Sequence, residues 1–396
     1  MHFREYIKAT GISVFFTFAI FLIEPVLAPY IKSLGFDNFQ LGLIFSVMPL
    51  AIIFFSPIFG KLADDIGKLR IIIFGLMIQL LAIIIYLSGT SWSLIAFARI
   101  LDALAITIVT LIALAKVEDH LSDKDRGKYS GISLSIQYIG AIIAPVLGGV
   151  LADKLFVKAP FLLTAFLLIL LSFILVFRNP KLRKKIHKDD FNFLDSLKNF
   201  LSIRPLRGMA ILGFVAHASQ PAIKVFLPLF IIEKLNLGYS FIGVAIFFIG
   251  IAHLFQFYFG HLADKFGRSK VMFVGILIYS FSLLLLAFAS NYTILLVILF
   301  FLGIGSSIWN VSAWTLMSDI GERLNKEAEV VCSYMSLAKI GGFLSYIFSG
   351  LIVDIYGFGV LFVVNGLLLF LGLIVSFKFF KGSHSEALSD DYGLTL

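Results

Sequence analysis

Two stretches decide the reading: Gly60–Arg70, GKLADDIGKLR, and Gly260–Lys270, GHLADKFGRSK. They lie 200 positions apart and share glycine, leucine–alanine–aspartate, a second glycine and basic residues at matching places. Self-similarity at a long, fixed offset marks a duplicated architecture. Other residues keep the offset to within one position: Pro29 with Pro228, Gly140 with Gly341, Asp153 with Asp354, and Glu24 with Lys224.

The copies sit in a strongly apolar chain. Of 396 residues, 60% are hydrophobic and 14% charged, and the mean hydropathy is +1.00. Continuous apolar runs of about 20 residues match the roughly 30 Å hydrocarbon core at 1.5 Å rise per residue. The stretch 71–88 holds one Gln and one Gly among apolar residues. A membrane barrel would show alternating ten-residue segments instead. Twelve spans are expected, near 9–31, 40–59, 70–89, 92–115, 131–152, 159–177, 208–232, 240–259, 270–289, 292–317, 330–353 and 358–378. The first is too long for a signal-peptide core and no small-residue cleavage site follows it.

The polar stretch 178–207 divides the spans six and six. The organisation expected is a first bundle over 1–178, a cytoplasmic linker over 179–207, a second bundle over 208–380 and a polar tail over 381–396. Within the linker, Phe191, Leu194, Leu197, Phe200 and Leu201 recur at helical spacing, which predicts an amphipathic helix on the inner membrane face. Of the 32 Lys and Arg residues, the segments expected outside hold only Lys32, Lys154, Lys158 and Lys234, and the spans hold only Arg99, Lys224 and Lys339. The remainder falls on the other side, which places both termini in the cytoplasm. The formal charge of +8 is therefore a topology and lipid-headgroup signal rather than a nucleic-acid one. A single cysteine, Cys332, excludes an intrachain disulfide. No phosphate loop, nucleotide fingerprint or metal-ligand spacing is found, so neither an enzyme nor a nucleotide-driven pump is expected, and no metal or cofactor beyond a proton gradient.

At this point the chain resembles the major facilitator superfamily over nearly its whole length. Gly60, Asp64, Gly67, Lys68 and Arg70 match the family's loop between spans 2 and 3, and Gly260, Asp264, Lys265, Gly267, Arg268 and Lys270 match it again. Asp65 departs, standing where the family prefers a basic residue. The resemblance implies an all-α fold of two six-helix repeats around a central cavity, and a gating role for both loops. The glycines allow a tight turn, the aspartates can cap a following helix or meet another helix's positive end, and the basic residues can pair with Glu118, Asp119 or Asp319. The alternative is a topology-setting turn with no switching role. Gly140, Ala144, Pro145, Gly148 and Gly149 on span 5 look like the fifth-span motif of the twelve-helix drug:proton antiporters, with Ala144 for glycine. Small residues allow close helix approach in lipid, so this span is expected to form the seam between halves.

Ionisable residues at membrane depth are costly and normally functional. Glu24, Arg99 and Lys224 lie seven or eight residues from the outer ends of their spans, about 10–12 Å deep, and Asp102 is one turn below Arg99. The resemblance places spans 1, 4, 7 and 10 around the cavity and supports Arg99 as the family's fourth-span arginine. Asp102 falls where that motif often carries Gln. Glu24, Arg99, Asp102 and Lys224 are expected to form one proton-coupling cluster; a permanent Arg99–carboxylate pair is the alternative. His217, seven residues before Lys224 on the same face with Gln220 between, is a candidate relay. Ser306, Asn310 and Trp314 share a face of span 10 and, with Gln220 and Lys339, are candidate cavity residues. His253 and Gln256 on span 8 are weaker candidates.

The expected function is alternating-access, proton-coupled export of small amphipathic compounds by a monomer in the cell membrane. The alternative is proton-coupled uptake of a small polar or anionic metabolite such as a sugar or organic acid. The expected partners are that solute, protons and the bilayer, with no nucleic acid.

Overall fold

The computed structural model describes residues 3–118, 123–177, 193–324 and 327–380. Every described element is helical. Among the described residues, eleven helices are long and apolar enough to cross a membrane. The last of these, Glu329–Phe380, is 52 residues long and is interrupted at Gly357, whose φ of 83° and ψ of 174° are not helical. The expected eleventh and twelfth spans lie on either side of this break, which a Cβ would strain.

In chain order the helices are α1 (Phe3–Phe21), α2 (Glu24–Ser33), α3 (Asn38–Ile66), α4 (Lys68–Ser88), α5 (Trp92–Glu118), α6 (Asp123–Lys154), α7 (Ala159–Val176), α8 (Phe193–Ser202), α9 (Arg204–Ala218), α10 (Leu227–Leu229), α11 (Tyr239–Ile251), α12 (Gln256–Phe266), α13 (Arg268–Leu286), α14 (Tyr292–Arg323) and α15 (Glu327–Phe380). Two compact units result: Met1–Asp189 with Pro228–Phe247, and Asp190–Leu227 with Phe248–Leu396. The segment Pro228–Phe247 belongs to the first unit although it lies in the second half of the sequence.

Three expected spans are not plain helices. The first breaks between α1 and α2, because Pro25 at the start of α2 lacks the N–H that would bond the Phe21 carbonyl and crowds that carbonyl. The seventh contains π-helical turns at Ala222–Phe226 and Phe230–Lys234, on either side of Pro228, which donates no backbone hydrogen bond. The local remedy is a wider turn. The eighth passes through a 3-10 segment at Ala252–Phe255.

In the first unit the core is built from α1, α3, α4, α5, α6 and α7. Gly75 of α4 lets Ile108 and Val109 of α5 approach, and Gly140 of α6 lies against Val14 and Phe18 of α1. The second unit repeats both contacts internally. Gly275 of α13 meets Ile308 and Trp309 of α14, and Gly341 of α15 lies against Phe214 of α9. The linker helix α8 packs Phe200 and Ser196 inward and lines a small cavity with Leu206, Leu324 and Val330. Residues 179–192, the tail and the side chains of 56–66 lie outside the described residues, and with them the side-chain expectations for Gly60, Asp64 and Asp65.

Candidate functional site

The two signature turns have the same backbone. Gly67 (φ 103°) and Gly267 (φ 95°) are each the N-cap of the helix that follows, α4 and α13. Positive φ is where glycine carries no steric cost. The expectation that an aspartate caps that helix is corrected for Asp264: α13 has no side-chain cap. Asp264 instead reaches back to Arg268 at 3.5 Å. Arg268 forms an ion pair with Asp319 on α14 and donates to the Thr315 carbonyl at 3.0 Å. The guanidinium therefore ties the start of α13 to the last turns of α14 at two points, which its forked geometry permits. Lys265 lies 5.4 Å from the Phe266 ring centroid. Glu118 and Asp119 are outside the described side chains.

The span-5 glycines act by proximity. A Cβ at Gly148 would collide with the Leu22 carbonyl, at the α1–α2 break. One at Gly149 would collide with the Tyr239 carbonyl of α11. Gly243 of α11 in turn seats the backbone of Pro145 and Val146, and Ala144 is fully buried. One turn further, Asp153 accepts the backbone N–H groups of Tyr239 at 2.9 Å and Ser240 at 2.7 Å. A carboxylate here satisfies donors that every helix N-terminus leaves open. Span 5 thus grips α1 on one side and α11 on the other, inside one unit.

Arg99 and Asp102 of the first unit are joined in one hydrogen-bonded group. Arg99 Nη1 is 2.5 Å from Asp102 Oδ2. Gln79 Nε2 donates to Asp102 Oδ1 at 2.8 Å and the Tyr86 hydroxyl donates to Oδ2 at 3.3 Å. Arg99 also lies 4.4 Å over the Phe45 ring and contacts the Met48 sulfur at 3.0 Å. Arg99 and Asp102 are each only 5% exposed. Tyr86 is itself held, its carbonyl accepting from the Tyr30 hydroxyl at 2.8 Å. Sequence reading missed Gln79 and Tyr86 as members. The signal was present, since Gln79 is the one polar amide in an otherwise apolar span and Tyr86 follows at seven residues, on the same face.

Glu24 is different. It opens α2 directly before Pro25 and is half-buried. Among the described residues it makes no ion pair or hydrogen bond.

The second unit holds Lys224, His217 and Lys339. Lys224 sits in the first π-helical turn. His217, on α9, bonds through Nδ1 to the Gly213 carbonyl at 3.1 Å, and its Cβ side faces Gly342 of α15. Lys339 lies on α15 one turn before Gly342. The π-helical turn that carries Lys224 packs against α15, which carries Lys339. Gln220, between His217 and Lys224, is half-buried.

On the facing pair α12 and α14, His253 bonds Gln256 through Nδ1 at 2.9 Å, and its Nε2 is 3.4 Å from the Ser306 hydroxyl. The buried Ser307 donates to the Ala252 carbonyl at 3.3 Å, at the 3-10 segment. The structure thus joins Ser306 to His253 and Gln256. Asn310 is half-buried and, among the described residues, makes no hydrogen bond. Trp314 is 44% exposed.

A bundle of long apolar helices, with charged groups buried at mid-helix and small residues at the crossings, defines a polytopic membrane transporter. The chain belongs to the Major Facilitator Superfamily, whose family model matches residues 9–252 and 209–391. It is 29% identical over 344 residues to an uncharacterized MFS-type transporter of Methanocaldococcus jannaschii, covering 85% of this chain and 87% of that one. It is 28% identical over 345 residues to the quinolone resistance protein NorA of Staphylococcus aureus, covering 85% and 86%. Among solved structures, the nucleoside transporter NupG superposes with a TM-score of 0.79 at 16% identity, covering 96% of this chain and 100% of that one. A bacterial homologue of the human lysosomal transporter Spinster, inward-facing, gives 0.74 at 15%, covering 96% and 97%. At these identities the structures speak to fold alone. The protein is a multi-pass membrane transporter.

Proposed function

We propose that the protein is a proton-coupled exporter of small amphipathic compounds, working by alternating access in the cell membrane with both termini cytoplasmic. The likeness to NorA and the span-5 motif support export. The matching turns at Gly67 and Gly267, the repeated glycine contacts and the break at Gly357 support twelve spans in two six-helix repeats. Arg268 with Asp264 and Asp319 would then be a cytoplasmic gate, together with the loop of Gly60, Asp64, Lys68 and Arg70.

The observation that carries proton coupling is the contrast between two carboxylates. Asp102 accepts from three side chains and is paired with Arg99. Glu24 has no such partner and stands at a helix break. A carboxyl at membrane depth that is wet in one state and dry in another gains and loses a proton. Glu24 is therefore the proton carrier, and Asp102 with Arg99 is a fixed scaffold.

The test is Glu24→Gln and Asp102→Asn in proteoliposomes bearing an imposed pH gradient, with norfloxacin and ethidium as cargo. Glu24→Gln should abolish uphill transport and retain exchange of labelled for unlabelled cargo. Full proton-driven transport by Glu24→Gln sinks the assignment. Proton-linked uptake of a metabolite is the second reading; the three basic groups of the second unit favour it.

A further inference from the structure

We propose that Lys224 and Lys339, flanked by His217, form a binding site in the second unit for an organic anion, the carboxylate of an amphipathic cargo. The proposal rests on the reading that the protein carries a solute, and holds for either direction of transport.

The argument begins with charge balance. A cation away from water at membrane depth is stabilised by a carboxylate or by backbone carbonyls. The first unit follows that rule, with Arg99 against Asp102. The second does not. Among the described residues, neither Lys224 nor Lys339 makes an ion pair or a hydrogen bond. The π-helical turn that carries Lys224 instead packs against α15, which carries Lys339, and Gly342 of α15 faces His217. Two ammonium groups brought together with no ion pair among the described residues are unfavourable by themselves, and an arriving anion converts that repulsion into attraction to both.

Lys339 lies twelve residues into α15 and is half-buried. Its neighbourhood is built for close approach. Gly213 receives the Tyr334 ring, Gly341 receives Phe214 and Gly342 faces His217, so α9 and α15 are drawn together where the basic groups emerge. The π-helical turn places Lys224 on a stretch whose wider winding departs from the α-helical register. His217 is also oriented. A carbonyl can only accept, so Nδ1 donates to Gly213, and Nε2 is left as an acceptor, for an O–H or N–H of the cargo rather than for its carboxylate. The surrounding helices are apolar, which suits a cargo with one anionic end and a hydrophobic body.

The site is tested by binding to the full-length protein in neutral detergent. Three fluorescent probes share one apolar body: pyrenebutyrate, pyrenebutanol and pyrenebutyl-trimethylammonium. Pyrenebutyrate should bind at least about tenfold more tightly than the alcohol, and Lys224→Gln and Lys339→Gln should each remove most of that difference. Binding of the alcohol should be unchanged, which reports that the variants fold. Should either Gln variant lose the alcohol as well, Lys224→Arg and Lys339→Arg decide, since they keep the charge and should keep the anion preference. Equal affinity for all three probes, preference for the cation, or full anion preference in the Gln variants overturns the proposal.

A lipid phosphate shares the chemistry. The measurement is therefore repeated in nanodiscs with and without phosphatidylglycerol. Loss of pyrenebutyrate binding in its presence, absent in Lys224→Gln, would assign the site to a headgroup and overturn the cargo reading. Flux driven by a pH gradient separates this proposal from the previous one. Uptake of pyrenebutyrate with protons sinks export and leaves the site standing. Export of the cation in preference sinks the site and leaves export standing.

Discussion

Asp153 and Ser240, 87 positions apart, are joined by a 2.7 Å hydrogen bond from the backbone N–H of one to the carboxylate of the other. With the companion bond to Tyr239, it makes a side chain of α6 the cap of α11. Asp153→Ala should cost about 1 kcal/mol of local stability. Amide hydrogen exchange across 239–243 should speed up roughly fivefold. Unchanged exchange there would show that the cap is replaced by water at no cost. Gly238→Ala should act in the same direction, because its Cβ would stand 2.7 Å from the Asp153 carboxylate.

The span-5 glycines are not equivalent. At Gly140 an added Cβ would find its nearest neighbour at 3.6 Å, an ordinary contact. At Gly148 and Gly149 it would meet backbone carbonyls that cannot swing aside. Gly140→Ala should leave thermal stability in detergent nearly unchanged, and Gly148→Ala and Gly149→Ala should each lose about 1–3 kcal/mol. Equal tolerance of all three would mean that α1 and α11 shift easily along α6.

Arg268 serves Asp319 and the Thr315 carbonyl together, so Lys is no substitute. Arg268→Lys should impair transport nearly as much as Arg268→Gln. A double-mutant cycle of Arg268→Gln with Asp319→Asn should show a coupling of about 1 kcal/mol, modest because both groups are partly exposed. Strict additivity would deny the pair a role.

Asp102→Asn leaves the Arg99 guanidinium buried opposite a neutral amide. About 3 kcal/mol or more of stability should be lost, visible as a drop in monodisperse protein after extraction. Glu24→Gln, with no partner to strand, should extract like the wild type. If the two variants extract alike, the division between scaffold and carrier fails.

Several of these relationships were legible in the chain before its fold. The glycines at 67 and 267 announced turns that only positive φ could make, because a basic helix start followed each. Arg99 and Asp102 were spaced to pair, whereas Gln79, visible as an amide in an apolar span, was not read as their partner. Three things were not legible. Asp264 as a partner of Arg268 rather than a cap depends on where the turn falls within one residue. The π-helical turns around Pro228 are a local answer to a missing N–H, and other prolines in this chain are answered differently; Pro25 breaks its helix. The convergence of Lys224 with Lys339 joins residues more than a hundred positions apart. It requires α9 and α15 to touch, and their glycines could be seen without revealing which helix each would admit.

The solitary thiol of Cys332, exposed on α15, gives the wild-type chain a native reporter. It stands two residues before Tyr334, whose ring fills the space over Gly213 of α9. A single spin label or dye attached there needs no cysteine-free background. Any loosening of the α9–α15 seam would change the label's mobility directly, so the working cycle can be followed on the protein as it is made.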